Sequence, residues 1–186
     1  LREMGAVVSG DIGCYTLAAT EPLAAMDTCV AMGSSIGVAI GLARSGGAPG
    51  PVVAAIGDST FLHAGLPALA DAVYNSTTLT VLILDNGTTA MTGQQEHPAT
   101  GRTLDHGATS RFSIEGFARA SGVTHVDTVD PVADPGGFEK LLQQRLAGND
   151  ISLIVARRAC ILAAADIRKW DKANAEKAEA GGCGGT

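Results

Sequence analysis

The feature that most constrains this chain is a pair of short, wholly apolar runs, residues 52–56 and 79–84, separated by one helix-length segment. Neither run alternates apolar with polar residues. Both faces of each strand must therefore be covered, which is the pattern of a parallel sheet lying between helices. Residues 60–74, between the runs, carry apolar side chains at helical spacing. Strand, helix and strand make a βαβ unit. The expected fold is α/β: a doubly wound, mostly parallel sheet with helices on both faces. Ligands of such sheets sit outside the carboxyl ends of the strands. The first run ends at Gly57-Asp58-Ser59 and the second at Asp85-Asn86-Gly87. A carboxylate, Asp58, and an amide carbonyl, Asn86, thus reach one sheet edge. Hard oxygen donors suit Mg²⁺, which leaves positions open for substrate phosphates. The helix opening near Thr60 adds an N-terminus suited to an anion. Taken singly, Asp58 reads equally as a helix cap and Asn86 as part of an Asn-Gly turn. Together, across one helix, they point to a metal–phosphate site.

The sequence is 46% hydrophobic but only 4% aromatic, with 24 glycines, so Ala, Val, Ile, Leu and Gly must build its core. A net charge of −6 gives no basis for binding nucleic acid or an anionic membrane surface. No apolar run reaches membrane-spanning length, and no basic, apolar leader opens the chain, so the expected setting is the cytoplasm. Cys14, Cys29, Cys160 and Cys183 are widely spaced without a CxxC, the pattern of neither a disulfide framework nor a zinc site.

In chain order, residues 4–8 read as a strand ending in the glycine-rich turn 10–14, whose backbone N–H groups can face a bound group. Residues 15–31 form a long connection of the kind that serves a site or an interface. A helix then runs from about residue 32 to Arg44, with Gly33, Gly37 and Gly41 leaving one smooth stripe for close packing. Residues 87–111 are polar and aperiodic, a lid-like or solvated loop carrying His97 and His106 as candidates for substrate contact or proton transfer. A helix over 113–121 capped by Ser113, a strand over 123–129, a helix from Asp134 to about Leu146 and a last strand over 151–156 complete a domain of residues 1–165. Residues 166–186 are charged and then glycine-rich, the composition of a frayed helix and a disordered tail. Cys14 lies at the expected site edge, His63 and His125 read as structural, and Cys29 and Cys160 read as small buried hydrophobes.

The Gly57-Asp58-Ser59 and Asn86 pair, with residues 60–85 between, resembles the diphosphate-binding motif of thiamine diphosphate enzymes. Three further segments resemble indolepyruvate ferredoxin oxidoreductase: GDIGCYTL at 10–17, DTCVAMGSSIG at 27–37, and LDN with TAMTG at 84–86 and 89–93. The resemblance is to the thiamine diphosphate domain of the large subunit and covers about residues 5–162. It implies that Asp58, Asn86 and the Thr88 carbonyl hold Mg²⁺ on the diphosphate, within a motif that includes Gly57, Ser59 and Thr60. It also implies that Gly13 and Cys14 lie by the thiazolium and that Met32, Gly33 and Ser34 lie near the aminopyrimidine. Met91 and Thr92 then continue the cofactor wall. The family oxidatively decarboxylates aryl 2-oxo acids with coenzyme A, passing electrons through iron–sulfur clusters to ferredoxin.

Two departures shape what is expected of this chain. It is too short to carry the pyrimidine-binding domain that supplies the activating glutamate, and after the last strand only Cys160 and Cys183 remain, without cluster spacing. It also begins at Leu1 rather than Met. It therefore reads as a fragment or split subunit, inactive alone, that works in an oligomer with a pyrimidine-binding domain or subunit and has its clusters elsewhere. The alternatives are a non-oxidative thiamine-dependent decarboxylase or synthase domain, and a non-catalytic scaffold that keeps the fold.

Overall fold

In the computed structural model residues 1–181 are described, with side chains of the final helix through residue 173. Strand β1 (Val7–Gly10) leads through a 3-10 turn (Cys14–Ala19) to a two-residue strand β2 (Thr28–Cys29). Helix α1 (Ser35–Ser45) precedes β3 (Val52–Gly57). A continuous helical run follows, made of α2 (Asp58–Thr60), a π-turn (Phe61–Gly65) and α3 (Leu66–Tyr74). Next come β4 (Leu79–Asp85), α4 (Ile114–Ala120) and β5 (His125–Val129). Helix α5 (Pro135–Leu146), β6 (Ile151–Arg157) and α6 (Ala164–Gly181) complete the described chain.

All six strands are parallel, in the order β2-β1-β3-β4-β6-β5. Pairing runs to Gly57↔Leu84 between β3 and β4 and to Asp85↔Arg157 between β4 and β6, so three carboxyl ends finish side by side. Alternate residues of the central strands serve opposite faces. Ala54, Ile56, Val81, Ile83, Leu153 and Val155 join Ile36, Ala39, Phe61, Leu69, Ile114 and Ala118 in the larger core, under α1, the 58–74 helical run and α4. Val53, Ala55, Leu82, Ile154 and Ala156 pack on the other face with Leu142 of α5 and, less deeply, with Leu1 and Met4. Covering both faces explains the unbroken apolar runs, and each fully buried Ile, Leu or Phe contributes about 1.5–3 kcal/mol. Ser113 and Asp134 cap α4 and α5 as the sequence indicates, accepting from the N–H of Gly116 and Gly137.

Several expectations are corrected. Residues 2–4 form a 3-10 turn closed by Gly5 in the left-handed region, so β1 starts at Val7. Helix α1 starts at Ser35, which leaves Gly33 outside it, while Gly37 and Gly41 keep open space above them on its exposed side. Residues 87–111 are only in part a solvated loop: 91–95 and 103–111 are exposed, but the stretch is structured. They carry a 3-10 turn (Ala90–Thr92) and the bridges Thr89↔Gln95 and Arg102↔Ala108, and they bury His97, Ala99 and Thr100. Cys29 is exposed rather than buried, because β2 is a short edge strand, and Cys160 is half-buried. His63 and His125 are both exposed, and His125 Nε2 lies 3.3 Å from Asp150 Oδ2. Helix α6 passes through residues 165–166 without a break and sets the Trp170 ring 5.1 Å from the Arg102 guanidinium. Cys183 and the glycine tail fall outside the described residues. No helix among the described residues is long and apolar enough to cross a membrane.

Candidate functional site

The carboxyl ends of β3 and β4 open on a recess of about 60 Å³. Gly13, Cys14, Met32, Gly57, Asp58, Ser59, Thr60, Asn86, Thr88, Met91 and Thr92 line it, together with Ile12, Tyr15, Leu84, Thr89 and Ala90. Parts of the chain distant in sequence thus meet where the strand ends predict. Gly33 and Ser34 are the expected residues that do not line it. The Gly33 N–H is turned to Asp11, and the Ser34 hydroxyl donates back to the Ala31 carbonyl.

Asp58 is buried, its side chain 3% exposed. Its Oδ1 accepts from the Ser59 N–H at 2.8 Å and its Oδ2 from the Gly87 N–H at 2.9 Å. The Asn86 Oδ1 accepts from the Thr88 N–H at 3.0 Å, which fixes the amide within its turn. The turn reading of Asn86 is therefore satisfied, whereas Asp58 is the first residue of α2 rather than its cap, since Gly57 holds the N-cap position without a side-chain cap bond; both side chains line the recess. Thr89 Oγ1 donates to Ser59 Oγ at 2.8 Å and ties the two strand ends together. Among the described residues no cluster of three or more His, Cys, Asp or Glu is placed to hold a metal. A cation here would draw on the Asp58 carboxylate with amide and carbonyl oxygens, a hard donor set that fits Mg²⁺.

Three groups were not singled out from sequence: the buried Asp85 and Asp11 behind this wall, and the half-buried Tyr15 within it. Asp85, at the end of β4, is gripped by Arg157, whose Nε lies 2.6 Å from Asp85 Oδ2 and whose Nη2 lies 2.7 Å from Glu115 Oε1. Burial pushes the Asp85 carboxyl up, Arg157 opposes this, and the nearby Asp58 charge adds to it. The Tyr15 phenol oxygen accepts from the Gly57 N–H at 3.0 Å. Burial, reinforced by the Asp11 carboxylate, holds that phenol well above its ordinary range, so it keeps a hydrogen to donate. Asp11 is wholly buried and accepts from the N–H groups of Ile12 at 2.8 Å, Gly33 at 2.7 Å and Ser35 at 3.2 Å. It caps the start of α1 from outside the helix and takes the Ile12 N–H, while the Gly13 N–H of the same turn donates to Thr16 Oγ1, so the glycine-rich turn does not offer these two to a ligand. The sequence signal was there, an Asp directly after a strand, but two of its three partners lie more than 20 residues on.

Gly33 completes this joint. Its φ is +89° and an added Cβ would stand 2.5 Å from the Ala64 Cβ. Gly33→Ala is expected to lower stability by about 2 kcal/mol in urea unfolding, from backbone strain plus overpacking.

His97 is not on the recess wall. Its side chain is fully buried behind Asp58, with Nε2 3.2 Å from Asp58 Oδ2. Burial removes it from the substrate-facing role expected of it. His106 remains exposed, its Nδ1 3.2 Å from Glu96 Oε1.

Residues 11–156 match the family described as thiamine pyrophosphate enzyme, C-terminal TPP binding domain. Among curated proteins, indolepyruvate oxidoreductase subunit IorA of Pyrococcus horikoshii is 44% identical over 169 residues, covering 84% of this chain and 26% of the relative. The subunit of the same name from Archaeoglobus fulgidus is 40% identical over 161 residues, covering 86% and 25%. The chain thus spans about a quarter of the length of these relatives. Among solved structures, a 2-oxoglutarate:ferredoxin oxidoreductase from Magnetococcus marinus superimposes with a TM-score of 0.71 at 18% identity, over 84% of this chain and 55% of that one. A Rhodococcus jostii thiamine diphosphate-dependent 4-hydroxybenzoylformate decarboxylase gives 0.56 at 19%, over 83% and 29%. At these identities the likeness is one of fold. The family match runs from the buried Asp11 to Ala156 in β6 and takes in both strand ends of the recess, so this chain belongs to the thiamine pyrophosphate enzymes, in their C-terminal TPP-binding domain family.

Proposed function

We propose that this chain holds the diphosphate end of thiamine diphosphate through Mg²⁺, in a cytoplasmic enzyme that oxidatively decarboxylates aryl 2-oxo acids of the indolepyruvate type with coenzyme A and ferredoxin. The observation that carries the reading is the donor set: Asp58, Asn86 and Thr88 line one recess at the ends of two paired strands. Bound thiamine diphosphate supplies a nucleophilic carbon and an electron sink for breaking the bond between keto carbon and carboxylate. The residues of this chain bind and orient. Asp58, Asn86 and the Thr88 carbonyl hold the cation. The Tyr15 hydroxyl is a donor in the same wall, and Met32 and Met91 at the rim keep water out. The substrate class is supported by relatives named indolepyruvate oxidoreductase. A recess of about 60 Å³ falls far below the about 300–1,000 Å³ that encloses a small-molecule ligand. The other wall belongs to a pyrimidine-binding domain or subunit, and the iron–sulfur clusters to segments outside this chain.

Titration calorimetry of thiamine diphosphate against the intact enzyme tests the first half of this reading. Binding is expected with Mg²⁺ and is expected to vanish with a chelator. Binding indifferent to Mg²⁺ would refute the assignment. The second half is tested by turnover of indolepyruvate, where reduced ferredoxin and an acyl-coenzyme A product are expected. An aldehyde formed without either would identify the non-oxidative decarboxylase instead.

A further inference from the structure

His97 is a polar residue in a polar loop, yet its side chain is completely shielded from solvent. Its backbone is pinned, since both the N–H and the hydroxyl of Thr100 donate to its carbonyl at 2.9 Å. The next residues are held from residues 111–112: Phe112 N–H donates to the Pro98 carbonyl at 3.0 Å, and Arg111 Nε donates to the Ala99 carbonyl at 2.7 Å. The ring is fixed as well. The Ala99 N–H donates to Nδ1 at 3.3 Å, so in the neutral imidazole the hydrogen sits on Nε2. Asp58 Oδ2 lies 3.2 Å from that nitrogen, but the two are not aligned, and among the described residues Nε2 makes no hydrogen bond. A buried N–H held this close to a carboxylate, and short of bonding it, fits a carboxylate that has still to turn.

The acceptor count on Asp58 indicates the direction of that turn. Oδ2 already takes the Gly87 N–H and faces His97, whereas Oδ1 takes only the Ser59 N–H. Oδ1 is therefore the oxygen with room for a cation. The nearby guanidinium of Arg157 is committed to Asp85 and Glu115, so it does not neutralise Asp58. An imidazole N–H can orient a carboxylate without the fixed positive charge that a lysine or arginine at this place would bring.

We propose that His97 is a positioning residue for Asp58: its Nε2–H secures Oδ2 so that Oδ1 is presented to the divalent cation. The inference rests on the reading that Asp58 holds Mg²⁺. Two substitutions divide the ring by function. His97→Asn keeps an acceptor near Nδ1 for the Ala99 N–H but falls short of Asp58. His97→Gln carries an amide N–H out to the Nε2 position. In the intact enzyme, the Mg²⁺ concentration giving half-maximal thiamine diphosphate binding is measured by calorimetry, together with the thermal midpoint of the unliganded variants. The Asn variant is expected to need about 10-fold more Mg²⁺, the scale for outer-shell partners of metal ligands, with its midpoint nearly kept. The Gln variant is expected to keep the wild-type Mg²⁺ requirement even if its midpoint falls. A purely structural histidine would move the two readouts together. Equal Mg²⁺ requirements in the Asn variant and wild type, or equal losses in both variants, would overturn the proposal. Asp58→Ala serves as the control. If it too leaves Mg²⁺-dependent binding intact, the cofactor reading itself has failed. If it abolishes binding while His97→Asn does nothing, only the role of His97 has failed.

Discussion

Asp11→Ala is expected to destabilise the fold by about 3–5 kcal/mol, because a buried donor left without its acceptor costs about 1–3 kcal/mol and a lost helix cap about 0.5–2. The side chain is wholly buried and receives the N–H groups of Ile12, Gly33 and Ser35, all of which lose their acceptor at once. Partial relaxation and entry of water keep the cost below the sum. Asp11→Asn retains one acceptor oxygen and should fall between the two. Urea unfolding checks this through the midpoint, with the slope unchanged if the denatured state is unaffected. The effect also reaches the recess. Asp11 joins the turn bearing Gly13, Cys14 and Tyr15 to the turn bearing Met32, so cofactor affinity should fall together with stability.

Asp58→Ala is expected to show the opposite division, with Mg²⁺-dependent thiamine diphosphate binding weakened by more than about 100-fold, above the range for outer-shell partners alone. Stability without ligand should change little. The substitution orphans the Ser59 and Gly87 N–H groups, but it also removes a carboxylate buried beside Asp85, whose carboxyl is pushed up by its burial and by the Asp58 charge. The two contributions offset each other, as they do where a site is kept for function at the expense of stability. Calorimetry and thermal unfolding on the same preparation separate them. A variant that loses stability while keeping Mg²⁺-dependent binding would contradict the assigned role.

The parts of this molecule legible in the sequence are those governed by local pattern. The β3–helix–β4 unit was readable because strands buried on both faces cannot alternate. The caps Ser113 and Asp134 were readable because a cap and the N–H that donates to it are three residues apart. Asp58 and Asn86 were readable because strand ends define a sheet edge. What escaped depends on contacts across the chain. The apparent glycine stripe ignored the bond from Asp11 that holds Gly33 outside α1. His97 looked solvated because nothing local shows that its loop folds back behind β3. Cys29 looked buried because an apolar neighbourhood in sequence does not reveal a two-residue edge strand.

The shallow recess also carries a thermodynamic linkage. A pocket of about 60 Å³ leaves most of a thiamine-sized ligand to be covered by another surface. Binding free energies are then reciprocal: the factor by which the second wall tightens the cofactor is the factor by which the cofactor tightens the second wall. On the proposed function, in which a second domain or subunit supplies that surface, the coenzyme becomes part of what holds the assembly together. Dilution of the assembled enzyme should release it, and excess coenzyme should hold the assembly together at protein concentrations where the bare parts drift apart.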